Sequence, residues 1–215
     1  MELSSKIRKP QGKALYAMIL GVLLVVSILA GVLFRDTGSS AAIPEVVTES
    51  TDNPDETPIP DDYNWVGKDS EPKYITLPSI KAEGFIQKVA VDQRNEVGVP
   101  SNVHLAGWFK DMAIPGENGL SIIDGHVDGR SEPGIFKNLG RLDVGDSFTI
   151  EYGSGDKQTF KVTSKAKASI EDSPAVLFSQ DPQQSSQLNL ITCGGTYDKS
   201  ARRYLERIIV TSVPV

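Results

Sequence analysis

The chain carries one cysteine, Cys193, in the run Leu190-Ile191-Thr192-Cys193-Gly194-Gly195. A thiolate is a strong nucleophile, and a nearby cation or base raises its reactive fraction. Few residues could serve as that partner. Of the two histidines, His126 follows Ser121-Ile122-Ile123-Asp124-Gly125, an apolar run closed by a glycine that lets the chain turn. That context places an imidazole at the mouth of a strand. A neutral imidazole there takes a thiol proton, and its protonated form gives one to a leaving amine. Arg207 lies in Tyr204-Leu205-Glu206-Arg207-Ile208-Ile209-Val210, where Arg203, Leu205, Arg207 and Ile209 alternate onto one face. A guanidinium among apolar neighbours can hold an oxyanion or a substrate carbonyl. Nucleophile, proton carrier and oxyanion holder together describe cysteine acyl transfer. Each residue also has a plainer reading: an inert buried thiol, an ordinary loop histidine, a surface ion pair.

Strands must position these groups. Asn189, Ile191 and Cys193 share one face by alternation, and Leu188, Leu190 and Thr192 the other. Gly194-Gly195 then allows a carbonyl to dock close to the sulfur. Short β-branched or alternating runs at 74–77, 85–91, 120–123, 147–152, 159–164, 188–192 and 204–212 are divided by Gly, Pro, Asn and Asp clusters. Many short strands in one domain form a closed barrel or a sandwich. Helical periodicity is weak, with a short turn over 133–139 and another over 174–178. The connection 166–187 delivers the chain to the cysteine strand. Its Val176, Leu177 and Phe178 either line a pocket beside the sulfur or plug the barrel end. His104, in Asn102-Val103-His104-Leu105-Ala106, has no neighbour that gives it chemistry and reads as structural. Lys199, Arg202 and Arg203 near a turn read as solvated charges. Zinc spacing and glycine-rich phosphate motifs are both missing from the sequence, Gly153-Ser154-Gly155 fits a hairpin turn, and Glu171 with Asp172 are too few acids for calcium. The sequence thus calls for no metal and no cofactor.

Upstream of this domain the composition changes twice. Residues 1–13 hold Lys6, Arg8, Lys9 and Lys13 against Glu2, a basic tail expected to remain in the cytoplasm. Residues 14–34 contain no charged side chain, and an apolar stretch of about 20 residues spans a bilayer as a helix. A cleaved signal peptide has a shorter apolar core, about 7–15 residues. The expectation is a single-pass membrane protein with the rest of the chain outside the cell. Residues 35–72 are acidic and proline-rich, an extracellular linker without apolar periodicity, within which Asp62-Tyr63-Asn64-Trp65 is a less disordered island that either docks on the domain or has no role. The domain from Lys73 onward holds 16 basic and 17 acidic residues, so the chain's negative charge resides in the linker. A nucleic-acid surface would need a basic excess that this domain lacks.

Several of these segments match a known family. Leu190-Ile191-Thr192-Cys193 matches the Leu-x-Thr-Cys strand of the sortases. Gly125-His126, followed by Gly134-Ile135-Phe136, Leu139, Leu142 and Val144-Gly145-Asp146, matches the family's histidine segment and its continuation. Gly107-Trp108-Phe109 and Pro115-Gly116-Glu117-Asn118-Gly119 are similar to the part that precedes it. The chain therefore resembles a sortase from about residue 73 to 213, most like class F or the related classes D and E. The resemblance implies an all-β fold with a closed eight-stranded sortase barrel and short helices. It implies cleavage of a Leu-Pro-x-Thr-Gly-like sorting signal between Thr and Gly through a thioester. The acyl group would pass from sorting-signal-bearing surface proteins to an amine on a cell-wall precursor or peptidoglycan. The family's histidine carries over onto His126, its cysteine onto Cys193 and its arginine onto Arg207, with Arg203 in reserve. Thr192 and Gly194 would support the substrate beside the sulfur. A pilin-polymerising sortase with a protein lysine as acceptor, and a non-catalytic tethered barrel that binds a partner, are the alternatives. Asp62-Tyr63-Asn64-Trp65 lacks the proline of the pilin enzymes' lid.

Overall fold

Alternating apolar side chains build two-sided strands, and these account for most of the molecule. The computed structural model describes residues 46–47, 53–90 and 98–215. The basic tail 1–13, the apolar stretch 14–34 and the start of the acidic segment lie outside the described residues. Among the described residues the strands are β1 (Val46–Val47), β2 (Pro72–Leu77), β3 (Ala82–Val89), β4 (Ala106–Phe109), β5 (Gly119–Gly125), β6 (Ser147–Tyr152), β7 (Lys157–Ser169), β8 (Ser186–Asp198) and β9 (Arg203–Pro214). One short helix, α1 (Ser173–Leu177), lies between β7 and β8. The strands join in the order β1-β3-β2-β6-β7-β9-β8-β5-β4, and β3 also pairs with β4. That last pairing is parallel and closes an eight-stranded barrel, with β1 laid along the end of β3.

The two faces of the strands serve two apolar clusters. Ile123, Phe136, Phe148, Ile150, Phe160, Leu190 and Val210 fill the barrel interior, where Phe148 and Phe160 stack at 5.5 Å. Ile122, Ile191 and Ile209, each one residue away from an interior position, face outward and join Val89, Phe109 and Leu177 in a second cluster. This outer cluster decides which face carries the site. Leu177 of α1 is buried against it, and Asn189 Nδ2 donates to the Leu177 carbonyl at 2.7 Å. Val176 packs there as well, while Phe178 is half exposed. The segment before β8 therefore walls the outer face and does not plug the barrel end.

The barrel follows the strands read from the sequence, with differences that have physical causes. β4 was not legible, because it has four residues, all buried, and so shows no alternation. β7 extends to Ser169 because β9 runs beside it to Glu206, which shortens the connection to the cysteine strand. The turn expected over 133–139 forms slightly later, as a 3-10 turn at Leu139–Arg141. The hairpin at Gly155 forms as expected, with its N–H on the Tyr152 carbonyl at 2.9 Å and φ at +88°.

The packed region also reaches further upstream than the composition suggests. Asp55 N–H donates to Ser101 O at 2.9 Å, and Val103 N–H to Asp55 O at 2.9 Å. Asn102 Nδ2 donates to Thr57 O at 2.9 Å, and Trp65 Nε1 to Ile86 O at 2.8 Å. Tyr63 meets Phe85 edge to face at 4.9 Å. A polar segment is held here by partners on the barrel, not by its own apolar content. His104 serves the same purpose, its Nε2 lying 3.2 Å from the Glu56 carbonyl oxygen. Trp65→Ala should lower stability by about 1–3 kcal/mol through lost ring contacts and an orphaned carbonyl. Urea unfolding checks this, and an unchanged midpoint would mean the segment does not dock.

Candidate active site

Cys193 and Arg207 are direct cross-strand partners in the antiparallel β8–β9 pair. Paired residues in a sheet point to the same side, so sulfur and guanidinium share a face. The face is the outer one, because Ile191 and Ile209 flank them at the next alternate positions. β5 runs parallel to β8 with Asp124 opposite Ile191. Continued two residues past that pair, the register brings His126, which lies just beyond the end of β5, to the level of Cys193 on the outer face. Thr192 Oγ1 donates to the Gly125 carbonyl at 2.6 Å and locks that level in place. Thr192 is buried, so its role here is to join the two strands. Arg203 faces Asp198 at the far end of the hairpin, about 13 Å along the strand from Arg207 at a rise near 3.3 Å per residue. Geometry thus brings together His126, Cys193 and Arg207 and leaves Arg203 outside.

Glycines set how closely the elements approach. Gly125 does not make the sharp turn expected from its sequence position. A Cβ there would meet Phe136 Cδ2 at 2.6 Å, so the glycine exists to admit that ring beneath the histidine. A Cβ on Gly194 would meet Ile208 Cγ1 at 2.8 Å, which keeps β8 and β9 close beside the sulfur. Gly195 adopts φ +75° and begins the irregular register between Gly194 and Tyr197.

The three groups are half buried. His126 Nε2 lies 2.7 Å from the Pro100 carbonyl. A carbonyl only accepts, so Nε2 carries the hydrogen and Nδ1 is the nitrogen able to take a proton. Burial pushes the imidazole below its ordinary value, while the Pro100 bond and the charge of Asp128 act in the other direction. Arg207 Nη1 donates to the carbonyls of Glu206 at 2.9 Å and Tyr204 at 3.3 Å, which folds the side chain along its own strand.

Four further residues shape the site, and the sequence reading did not name them for it. Asp124, two residues before His126 on the same face, is buried, and its Oδ1 has no hydrogen-bond partner among the described residues. Gly107 leaves the space this carboxyl fills. Burial drives Asp124 well above the usual carboxylate range. Asp128 accepts a hydrogen bond from the Tyr204 hydroxyl. Glu56, from the upstream segment, accepts from the N–H groups of Arg130 and Ser131 and from Ser131 Oγ in the loop after His126. Spacing of two residues on either side of His126 could have drawn attention to Asp124 and Asp128. Nothing in the local sequence signals Glu56 or Tyr204.

Comparison with known proteins agrees with this fold. The sortase domain family matches residues 75–215. A lid mutant of sortase A from Corynebacterium diphtheriae superposes with TM-score 0.52 at 22% identity, over 69% of this chain and 72% of that one. Sortase C1 of Streptococcus agalactiae, in its complex with MTSET, gives 0.50 at 20% identity over 68% of each chain. Sortase C of Streptococcus pneumoniae gives 0.50 at 17% identity, over 69% of this chain and 70% of that one. No curated protein matches at the level of sequence. The chain belongs to the sortase family and is a cysteine transpeptidase.

Two titrations follow from the geometry. Hydrogen bonds from Ser131, then from the Arg130 and Glu132 backbone, hold Glu56 below its ordinary value of 4.5. A depressed carboxyl contributes above its unfolded value and loses that contribution as pH falls through the folded one. Protection of the Arg130 and Ser131 amides, taken against the intrinsic exchange rate at each pH, should therefore fall on acidification below about pH 4.5, and already at neutral pH in Glu56→Ala. Exchange that ignores both changes would remove Glu56 from the loop. Asp124 has the opposite sign: its raised value stabilises the fold at low pH and loses that contribution as pH rises. Asp124→Asn should flatten the fall in stability that urea unfolding reads as pH rises above 3.8, and an identical pH profile would mean that burial does not raise this carboxyl.

Proposed function

We propose that this sortase is anchored in the cell membrane by residues 14–34, with residues 1–13 in the cytoplasm and the catalytic barrel outside the cell. Its substrate is a surface protein bearing a Leu-Pro-x-Thr-Gly-like signal, and its acceptor is an amine of a cell-wall precursor or peptidoglycan. The observation that carries the reading is the register that puts Cys193 opposite Arg207 and level with His126 on one face. Val176 and Leu177 pack in the apolar cluster of this outer face, a surface that suits a Leu-Pro segment. Phe178 extends the wall from its exposed position.

In this mechanism Cys193 passes its proton to His126 Nδ1 and attacks the Thr carbonyl. Arg207 and the backbone N–H near Gly194 stabilise the oxyanion. The imidazolium then returns the proton to the leaving Gly amine, and a thioester on Cys193 remains. A second amine attacks that thioester, His126 takes its proton, and a new amide leaves. Burial favours the neutral imidazole, so the thiolate–imidazolium pair is the minor state and titrates as a unit.

Cys193→Ala should abolish turnover and His126→Ala nearly so. Arg207→Ala should lose about 100-fold to 1000-fold in kcat, the usual cost of removing an oxyanion donor, while Arg203→Ala stays close to the parent. Mass spectrometry of a Leu-Pro-x-Thr-Gly peptide library with glycyl and lysyl amines reads both motif and acceptor. Turnover surviving in Cys193→Ala would end the mechanism, and exclusive use of lysyl protein acceptors would turn the function toward pilin polymerisation.

A further inference from the structure

The loop after His126 is tied down on a second side, by β9. Tyr204 Oη donates to Asp128 Oδ2, and the Tyr204 ring packs edge to face on Tyr197 at 5.1 Å. The main-chain carbonyl of the same tyrosine accepts from Arg207 Nη1 at 3.3 Å. One residue thus touches both the acid beside the histidine and the guanidinium beside the cysteine. Asp128 is itself set by its loop: it bridges to Pro133, and Gly129 N–H donates to Glu132 O at 2.8 Å. Phe136 N–H, on the His126 carbonyl at 3.0 Å, fixes the start of that loop.

We propose that Tyr204 and Asp128 are positioning residues for His126: the phenol fixes the Asp128 carboxylate beside the imidazole, and the fixed charge stabilises the imidazolium formed when Cys193 gives up its proton. The inference rests on His126 and Cys193 being the working pair. Its chemistry is consistent from group to group. Burial, then the bond to Asp128 and the charges of Asp128, Cys193 and Tyr197, push the Tyr204 hydroxyl up to about 12, so it stays a donor at any working pH. Burial opposes an imidazolium at His126, and the negative charge of Asp128 works against that effect. The other groups around the imidazole are accounted for. Pro100 offers a carbonyl, burial raises the Asp124 carboxyl on β5 well above its ordinary range, Cys193 on β8 supplies the proton, and Arg207 on β9 brings positive charge. Glu56, in the upstream segment, is taken up by Arg130 and Ser131 further along the loop.

The full-length chain in detergent, carrying Asp128→Asn, Tyr204→Phe or both, is compared with the parent by two measurements that need no substrate. NMR of the imidazole signals gives the titration midpoint of His126, with His104 as an internal control for the fold. Iodoacetamide alkylation of Cys193 against pH gives the reactive thiolate. Asp128→Asn should move the His126 midpoint downward, leave that of His104 in place, and slow alkylation near neutral pH roughly threefold to tenfold, as expected for losing one opposite charge at a half-exposed site. Tyr204→Phe keeps the ring on Tyr197 and should move both readouts the same way by a smaller factor. The double variant should be no slower than Asp128→Asn alone, since the phenol acts through the carboxylate. A His126 midpoint unmoved in Asp128→Asn, a midpoint raised in Tyr204→Phe, or losses that multiply in the double variant would overturn the proposal. Neither readout uses a sorting peptide, so a wrong motif or acceptor leaves the test standing.

Discussion

The site depends on the hydrogen-bonded register of three strands. β8 is paired on one edge with β5 and on the other with β9, and its Cys193 meets a histidine level on one side and an arginine on the other. A slip of one residue in either pairing would turn one partner to the barrel interior, because side chains alternate with period two. The fold protects that register. The irregularity between β8 and β9 falls after Gly194, on the side away from the interior, so the ladder from Leu188 to Gly194 is continuous. Thr192 spends its side chain on the Gly125 carbonyl, joining β8 to the end of β5 one residue before the histidine. The interior cluster then makes any slip costly, since Leu188, Leu190 and Val210 would be expelled together.

Register sets the level of the groups, and close packing sets their depth. Phe136 is fully buried under Gly125, and Gly134 passes so near the His126 carbonyl that a side chain there would collide with it. The histidine therefore sits on a firm base although it lies just beyond the last residue of its strand. Beyond it, the loop is held by Glu56 from the upstream segment and by Tyr204 from β9. These two clamps come from opposite ends of the described chain. The upstream segment is thus part of the support of the catalytic loop as well as a connection to whatever precedes it.

How far this was legible in the sequence depends on the kind of contact. The barrel strands that alternate, such as Ser147–Tyr152, announce themselves, because one face is buried and the other is not. β4 does not, since it is buried on both sides and interrupted by Gly107. Cys193 and His126 could be singled out because each is a rare residue type and the motifs around them match a family, and Arg207 because it stands among apolar neighbours. Their convergence was not visible, because it comes from pairing between strands distant along the chain. The role of Gly125 was misread for the same reason: a glycine at a strand end suggests a turn, and only the position of Phe136 shows that the demand is for space. The acidic segment looked unable to pack because composition counts apolar residues. It packs through backbone bonds to Ser101 and Val103 and through two aromatic side chains, neither of which composition reports.

The electrostatics of the site turn on two carboxyl groups placed symmetrically about one histidine. Asp124 and Asp128 are each two residues from His126, yet their surroundings assign them opposite work. Asp124 is enclosed over Gly107 with an oxygen that finds no hydrogen-bond partner among the described residues, so burial raises its carboxyl well above the usual carboxylate range and disfavours a charge there. Asp128 lies in the looser loop, takes a phenol hydrogen bond, and acts on the imidazole as a negative charge. Had Asp124 also been ionised, two negative charges would flank the histidine, favouring the imidazolium but opposing a thiolate beside it. A single carboxylate on the solvent side is the weaker bias, and it leaves Arg207 as the cation directly across from the sulfur. The barrel wall thus separates the two demands of a cysteine transpeptidase. It supports the histidine proposed to carry the proton in each half-reaction, and by burying Asp124 it limits the negative charge beside that histidine.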